Sequence, residues 1–196
     1  MNSNNSNAGR RSPAEKYRSQ LTRARRDGLL VKFTRPFESG WIEGYILEIG
    51  PHFFLLALVN GEICFNGFSC LRLRDVRNLQ VPPKYAAFIE AALKKRGQRK
   101  PRKPRVSVRG LPELLLSANA AFPVVTIHRE NADPEVCHIG RVVGLRRGRV
   151  ALLEIGPDAT WDAKPEEYSL NQITRIDFGG GYEEALHLVG GSPSLR

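Results

Sequence analysis

Two stretches of the chain, 44–61 (GYILEIGPHFFLLALVNG) and 140–157 (GRVVGLRRGRVALLEIGP), place glycine and apolar residues on one spacing at an offset of 96. Gly44 falls on Gly140, Ile46 on Val142, Ile49 on Leu145, Leu56 on Leu152 and Val59 on Ile155. One inserted residue later, 71–79 (LRLRDVRNL) lies on 168–176 (YSLNQITRI). Leu73 then meets Leu170, Val76 meets Ile173 and Leu79 meets Ile176. Tyr85 and Tyr182 follow at an offset of 97, each opening a helical pattern. Upstream, 31–35 (VKFTR) lies on 125–129 (VTIHR) with two extra loop residues in the second copy. Such a repeat constrains the fold more than local propensity does, because each copy must be a comparable supersecondary unit. A more conspicuous identity, LEIGP at 47–51 and 153–157, has an offset of 106 and disagreeing flanks: HFFLLALV follows the first copy and DATWDAKP the second. That identity is a coincidence, and the repeat runs ten residues out of step with it.

Local signals fill in the elements. Ser12-Pro13-Ala14-Glu15 has the residues of a helix start and capping box. Tyr17, Leu21 and Ala24 continue it as one apolar stripe, and Gly28 ends it. Strands are expected at 29–35, 41–49, 53–59, 63–66 and 70–80, with turns at Gly50-Pro51-His52 and Asn60-Gly61. Pro82-Pro83 starts a helix with Tyr85, Phe88, Ile89, Ala92 and Leu93 on one face, and Gly97 closes it. After a basic connector, a helix is expected at 111–120. Strands follow at 123–129, 136–145, 149–155, 166–170 and 172–178, and a last helix at 181–189. The chain therefore reads as mainly β with short flanking helices. It divides into a polar tail and basic helix (1–28), a first unit (29–97), a basic Pro-containing linker (98–110) and a second unit (111–196).

A short helix followed by about five bent strands resembles the Sm-like or SH3-like small-barrel class. The residues that carry this are GYILEI at 44–49 with FFLLAL at 53–58, and GRVVGL at 140–145 with VALLEI at 150–155. The resemblance implies two tandem small barrels. The second copy also resembles a segment common in small bacterial proteins, which implies no activity. An Sm-type uridine pocket needs a polar residue, usually Asn, in the turn after the second strand, and an Arg-Gly or Lys-Gly near the fourth. The turns here are Gly-Pro-His and Arg-Arg-Gly, and neither Arg72 nor Arg74 precedes Gly, so that pocket is not expected.

Catalytic patterns are scarce. The sequence has no Gly-x-Ser-x-Gly, P-loop or dinucleotide fingerprint. His52, His128, His138 and His187 fall in different elements. Cys64, Cys70 and Cys137 are odd in number and lack zinc-knuckle spacing, so each is expected as a reduced, small hydrophobe. Gly179-Gly180-Gly181 before a helix reads as a permissive corner rather than an anion cradle. Asp158, Asp162, Glu166 and Glu167 around Trp161 read as a solvated acidic loop. No cofactor, metal site or catalytic residue is expected. The longest strongly apolar run, 53–59, is too short to cross a bilayer. With no export signal at the N-terminus, the expected compartment is the cytoplasm.

Charge supplies the functional reading. Residues 1–110 carry 22 Lys/Arg against 8 Asp/Glu, a net +14, and residues 111–196 carry 8 against 12, a net −4. The connector region 94–110 holds 9 basic residues and no acidic one. Its prolines and like charges suggest an extended, flexible segment. Such density suits phosphate backbones. The expected function is non-enzymatic nucleic-acid binding, to RNA or the ribosome, by phosphate contact. The candidate residues are Arg23, Arg25 and Arg26 on the first helix, then Lys94, Lys95, Arg96, Arg99, Lys100, Arg102, Lys103 and Arg105. Arg146, Arg147 and Arg149 complete the set on a hairpin tip. The rival expectation is a protein-interaction adaptor whose barrels bind a protein partner, with the linker as a spacer.

Overall fold

The computed structural model describes residues 13–193. Ser12 of the expected capping box lies outside them. Helix α1 (Pro13–Asp27) is followed by β1 (Leu30–Thr34), β2 (Ile42–Ile49), β3 (Phe53–Val59), β4 (Phe65–Arg72), a 3-10 turn (Leu73–Asp75), β5 (Arg77–Gln80) and α2 (Ala86–Lys95). The second half runs α3 (Leu111–Ala121), β6 (Val125–His128), β7 (Cys137–Arg146), β8 (Arg149–Glu154), β9 (Glu166–Ser169), a 3-10 turn (Leu170–Gln172), β10 (Arg175–Phe178) and α4 (Gly181–Gly190). The helices and the hairpin strands lie close to where the sequence puts them. The expected continuous strand at 70–80 is instead broken by a 3-10 turn, and its first residues join the expected strand 63–66 as β4, whereas 166–170 and 172–178, expected as separate strands, are parted by the second 3-10 turn.

All ten strands form one antiparallel sheet, which is not closed, in the order β5-β1-β2-β3-β4-β10-β6-β7-β8-β9. The first five strands in space have the connectivity 5-1-2-3-4, and the next five repeat it as 10-6-7-8-9. The halves meet where β4 pairs with β10, Leu71 opposite Arg175 and Phe68 opposite Phe178. Positions matched in the sequence are matched in geometry. A side chain on Gly44 would begin 2.2 Å from the Ala57 carbonyl oxygen, and one on Gly140 would begin 2.1 Å from that of Leu153. Both hairpins shift register just after, between Ile46 and Glu48 and between Val142 and Gly144. Both 3-10 turns are entered and left through extended residues, Arg72 and Val76 in one, Ser169 and Ile173 in the other.

The continuous apolar run of β3 follows from burial on both faces. Phe54 and Leu56 pack with Leu21 and Ala24 of α1, whereas Phe53 and Leu55 join a core that contains Leu114, Leu115 and Ala118 of α3 and Ile127 of β6. That second core crosses the boundary between halves. At the junction the rings of Phe68, Phe122 and Phe178 lie with centroids 4.8–5.8 Å apart. Gly67 and Gly179, both at positive φ, let their loops approach there. A side chain on Gly67 would begin 2.5 Å from the Gly180 nitrogen, and one on Gly179 would strike the Phe122 ring at 2.6 Å. The triglycine thus serves packing, and the Gly181 N–H at the start of α4 donates to Asn66 Oδ1 at 2.9 Å.

Candidate nucleic-acid interface

The connector forms neither helix nor strand, in keeping with its prolines, but it is packed onto the body along β2 rather than hanging free. Gly97, at φ 69, ends α2. Gln98 then accepts a 3.1 Å hydrogen bond from the Phe65 N–H. The Lys100 ammonium lies 4.6 Å from the Tyr45 ring centroid, and Lys103 pairs with Glu48 at 2.6 Å. Val106 and Val108 are buried in the core shared by the halves. The Ser107 N–H donates to Ser117 Oγ of α3 at 2.9 Å. The expectation of flexibility is therefore corrected. Two apolar side chains at period 2 anchor a strap whose charges alone argue for a loose tether. The side chains of Arg99, Arg102, Arg105 and Arg109 remain exposed and make no ion pair or hydrogen bond with the described residues.

The other expected cations divide into engaged and available. On α1, Arg23 donates to the Val81 carbonyl at 3.2 Å, Arg25 to the Leu47 carbonyl at 3.1 Å, and Arg26 pairs with Asp27 at 2.7 Å. The Arg25 bond ties the helix to β2, and the Arg23 bond ties it to the segment just after β5. Lys94 and Lys95 are exposed at the C-terminal end of α2, and Arg96 is held by the Glu62 carbonyl and lies 3.3 Å from Cys64 Sγ. On the β7–β8 hairpin, Arg146 and Arg149 both reach Glu167, at 3.2 and 3.0 Å. Hydrogen bonding from Arg146 leads the causes that lower the Glu167 carboxyl pKa. Arg147, at φ 49 beside Gly148 at φ 75, makes the turn and stays exposed. The hairpin belongs to the second half of the sheet, whereas Lys100 and Lys103 of the strap contact β2 of the first. The neutralising role of Glu167 is a cross-strand relationship that one-dimensional charge counting misses.

The strap leads to a cleft that sequence reading did not find. Its cavity of about 520 Å³ opens where the β2–β3 turn meets both 3-10 turns and the start of α3. Phe53, Leu73, Leu111, Leu170 and Ile173 supply its apolar lining, and Arg18, His52, Arg72, Arg74 and Asn171 its polar groups. Leu73 and Leu170 are the residues matched by the repeat. Arg18 donates to the Gly50 and Pro51 carbonyls at 2.9 and 2.6 Å, and the Leu73 N–H donates to the His52 carbonyl at 2.8 Å. These bonds tie the turn, α1 and the 3-10 segment together. Arg72 is buried and spends its charge on Asp75 at 2.5 Å. Arg74 and His52 are exposed. The β2–β3 turn and the 3-10 turn that follows β4 meet here, and Asn171 of the second half adds an amide to the lining.

Elsewhere the ionisable groups make internal knots. Asp177 accepts from Ser69, from His128 Nε2 at 2.9 Å and from Arg175 at 2.8 Å. Burial alone would raise its carboxyl, but the Arg175 charge and the His128 hydrogen bond outweigh burial and hold it well below the usual carboxylate range. The Ser69 hydroxyl bonds the carboxylate and not the imidazole, so the group lacks the serine-to-base contact a nucleophile needs. Glu154 accepts from His138 and Tyr168, and burial followed by this carboxylate pushes the Tyr168 phenol up. Trp161 of the acidic loop donates to the Gly190 carbonyl at 3.1 Å and so holds α4. Among the described residues no group of three or more His, Cys, Asp or Glu is arranged to hold a metal ion, and no helix is long and apolar enough to cross a membrane. The chain matches no protein-family model, no curated protein and no solved structure.

Proposed function

We propose that this is a non-enzymatic nucleic-acid-binding protein, RNA- or ribosome-associated, that grips phosphates along the strap and at the cleft where the strap ends. The docking of the strap carries this reading. With Val106 and Val108 buried, Arg99, Arg102, Arg105 and Arg109 project from a fixed backbone, so less freedom is lost on binding than from a loose tether. Each phosphate contact releases counterions and needs no base readout. Arg74 extends the same charge to the cleft, whose apolar lining gives room for part of a nucleotide. The repeated strand order and the matched glycines support a further part of the proposal: that the halves are tandem Sm-like or SH3-like small barrels fused through β4 and β10. The cytoplasm is the compartment that suits such a role.

One observation favours a protein-interaction adaptor as the second reading. Leu188 and Val189 on α4, in the acidic half, are 85% and 76% exposed. The two readings part in one experiment. RNA binding is compared between the intact chain and a variant with Arg99, Arg102, Arg105 and Arg109 replaced by Gln. The nucleic-acid reading predicts tight binding that the variant loses. Equal binding by both, or none by either, favours the adaptor.

A further inference from the structure

The basic track has an aromatic surface at its upstream end. Phe88 of α2 is 63% exposed, and Trp41, the residue before β2, is 45% exposed. Both line a groove of about 330 Å³ that also touches Val59, Ile89 and the Asn60-Gly61 turn. Trp41 is held in place: the Lys32 ammonium lies 4.7 Å from its ring centroid and 4.6 Å from that of Tyr85. Lys32 is fixed in turn by Glu43 at 3.3 Å, and Glu43 accepts a 2.6 Å hydrogen bond from the Tyr85 hydroxyl. The carboxylate lining the groove is thereby already neutralised. A preset ring loses little freedom when a ligand stacks on it.

Charge decides which ligand fits. From 84 to 105 the chain holds nine Lys or Arg and one carboxylate, Glu90. From Phe88 the helix reaches Lys94 and Lys95 within about 10 Å, and the strap follows. An apolar peptide would use the rings and leave the cations idle. A duplex would use the cations but keeps its base faces stacked inside. A single strand uses both, with bases on the rings and phosphates on the basic side chains.

We propose that Trp41 and Phe88 form a base-stacking platform, so that the nucleic acid bound here is single-stranded. This inference rests on the phosphate-binding reading and specifies its ligand. The test uses the full chain with a short RNA oligonucleotide, single-stranded and annealed to its complement. Phe88 is exposed, so Phe88→Ala should leave the unfolding midpoint unchanged. It should weaken single-strand binding on the order of tenfold and leave duplex binding as it was. In a Trp161→Phe background, where Trp41 is the remaining tryptophan, the single strand should quench the emission. If both RNAs bind but Phe88→Ala and the Trp41 emission are indifferent to them, the platform is wrong and the phosphate track stands. Emission that an apolar peptide moves and RNA does not assigns the groove to a protein side chain and also overturns the platform. No binding of either RNA defeats the platform and the phosphate reading together.

Discussion

The Val108 carbonyl oxygen lies where a side chain on Gly50 would begin, at 1.8 Å. The turn after β2 and the basic strap can adopt this packing because residue 50 has no Cβ. Gly50→Ala should therefore push the strap off the sheet. The expected cost is about 1–3 kcal/mol, the range for overpacking a well-packed site. At this chain length that lowers the melting midpoint by about 2–4 °C per kcal/mol. RNA affinity should fall in parallel, because the four free arginines lose their fixed spacing.

Arg35 and Glu130 join the halves through a buried pair. The guanidinium side chain is 0% exposed and the carboxylate 6%, with Arg35 also donating to Glu38 at 2.7 Å. Glu130→Ala leaves that buried cation short of a partner, and urea unfolding should show a loss of about 3–5 kcal/mol. Replacing both residues with apolar ones of similar volume should cost much less, since the desolvation of both charges is then removed as well. If the double variant were no better than the single one, the pair would matter for shape rather than charge.

Asp177 predicts an acid limb. Its folded carboxyl lies well below the unfolded value of about 3.9, so its contribution is fully present above that pH and is lost as pH falls towards the folded value. Unfolding free energy measured from neutral pH downward should therefore drop below about pH 4, and Asp177→Asn should flatten that limb. Tyr168 acts at the other end. Its phenol is raised by burial and by Glu154, so its contribution is complete below the unfolded value of about 10 and declines as pH rises through the raised folded value. Burial also raises the Tyr45 phenol, to about 12, and that of Tyr85, so phenolate absorbance should show a late-titrating group of tyrosines, from which Tyr168→Phe should remove the latest.

Arg74 tests the cleft without touching the core. It is exposed, and its side chain makes no hydrogen bond or ion pair with the described residues. Arg74→Ala should leave the unfolding free energy within about 0.5 kcal/mol of the parent and weaken RNA binding several-fold at low salt. Unchanged binding would remove the cleft from the interface and leave the strap.

What could be read in the sequence follows physical range. Helices α1 to α4 and the paired hairpins came from periodicity and from Gly28, Gly97 and Asn60-Gly61, all of which act over a few residues. The match of Gly44 with Gly140 was legible because a strand-to-strand close approach demands glycine in both copies. The 3-10 turns were hidden because Leu-x-x-Val and Leu-x-x-Ile also fit an irregular strand. The β4–β10 junction, the Arg35–Glu130 pair and the capture of Arg146 and Arg149 by Glu167 are contacts between residues far apart in sequence, which no local pattern encodes. The docked strap stood in between. Val106 and Val108 alternate visibly, but the charge run around them pointed to a free chain.

The most direct measurement is the salt dependence of RNA affinity for the intact chain. If Arg74, Arg99, Arg102, Arg105 and Arg109 each contact a phosphate, log K against log salt should be linear. Its slope should be about −3.5 for a single strand, or about −4.5 for a duplex. Replacing the four strap arginines with Gln should make the slope shallower by about 2.8 for a single strand, or about 3.6 for a duplex. A slope near zero in the intact chain, or the same slope in the variant, would contradict the claim that the strap is a phosphate-binding surface.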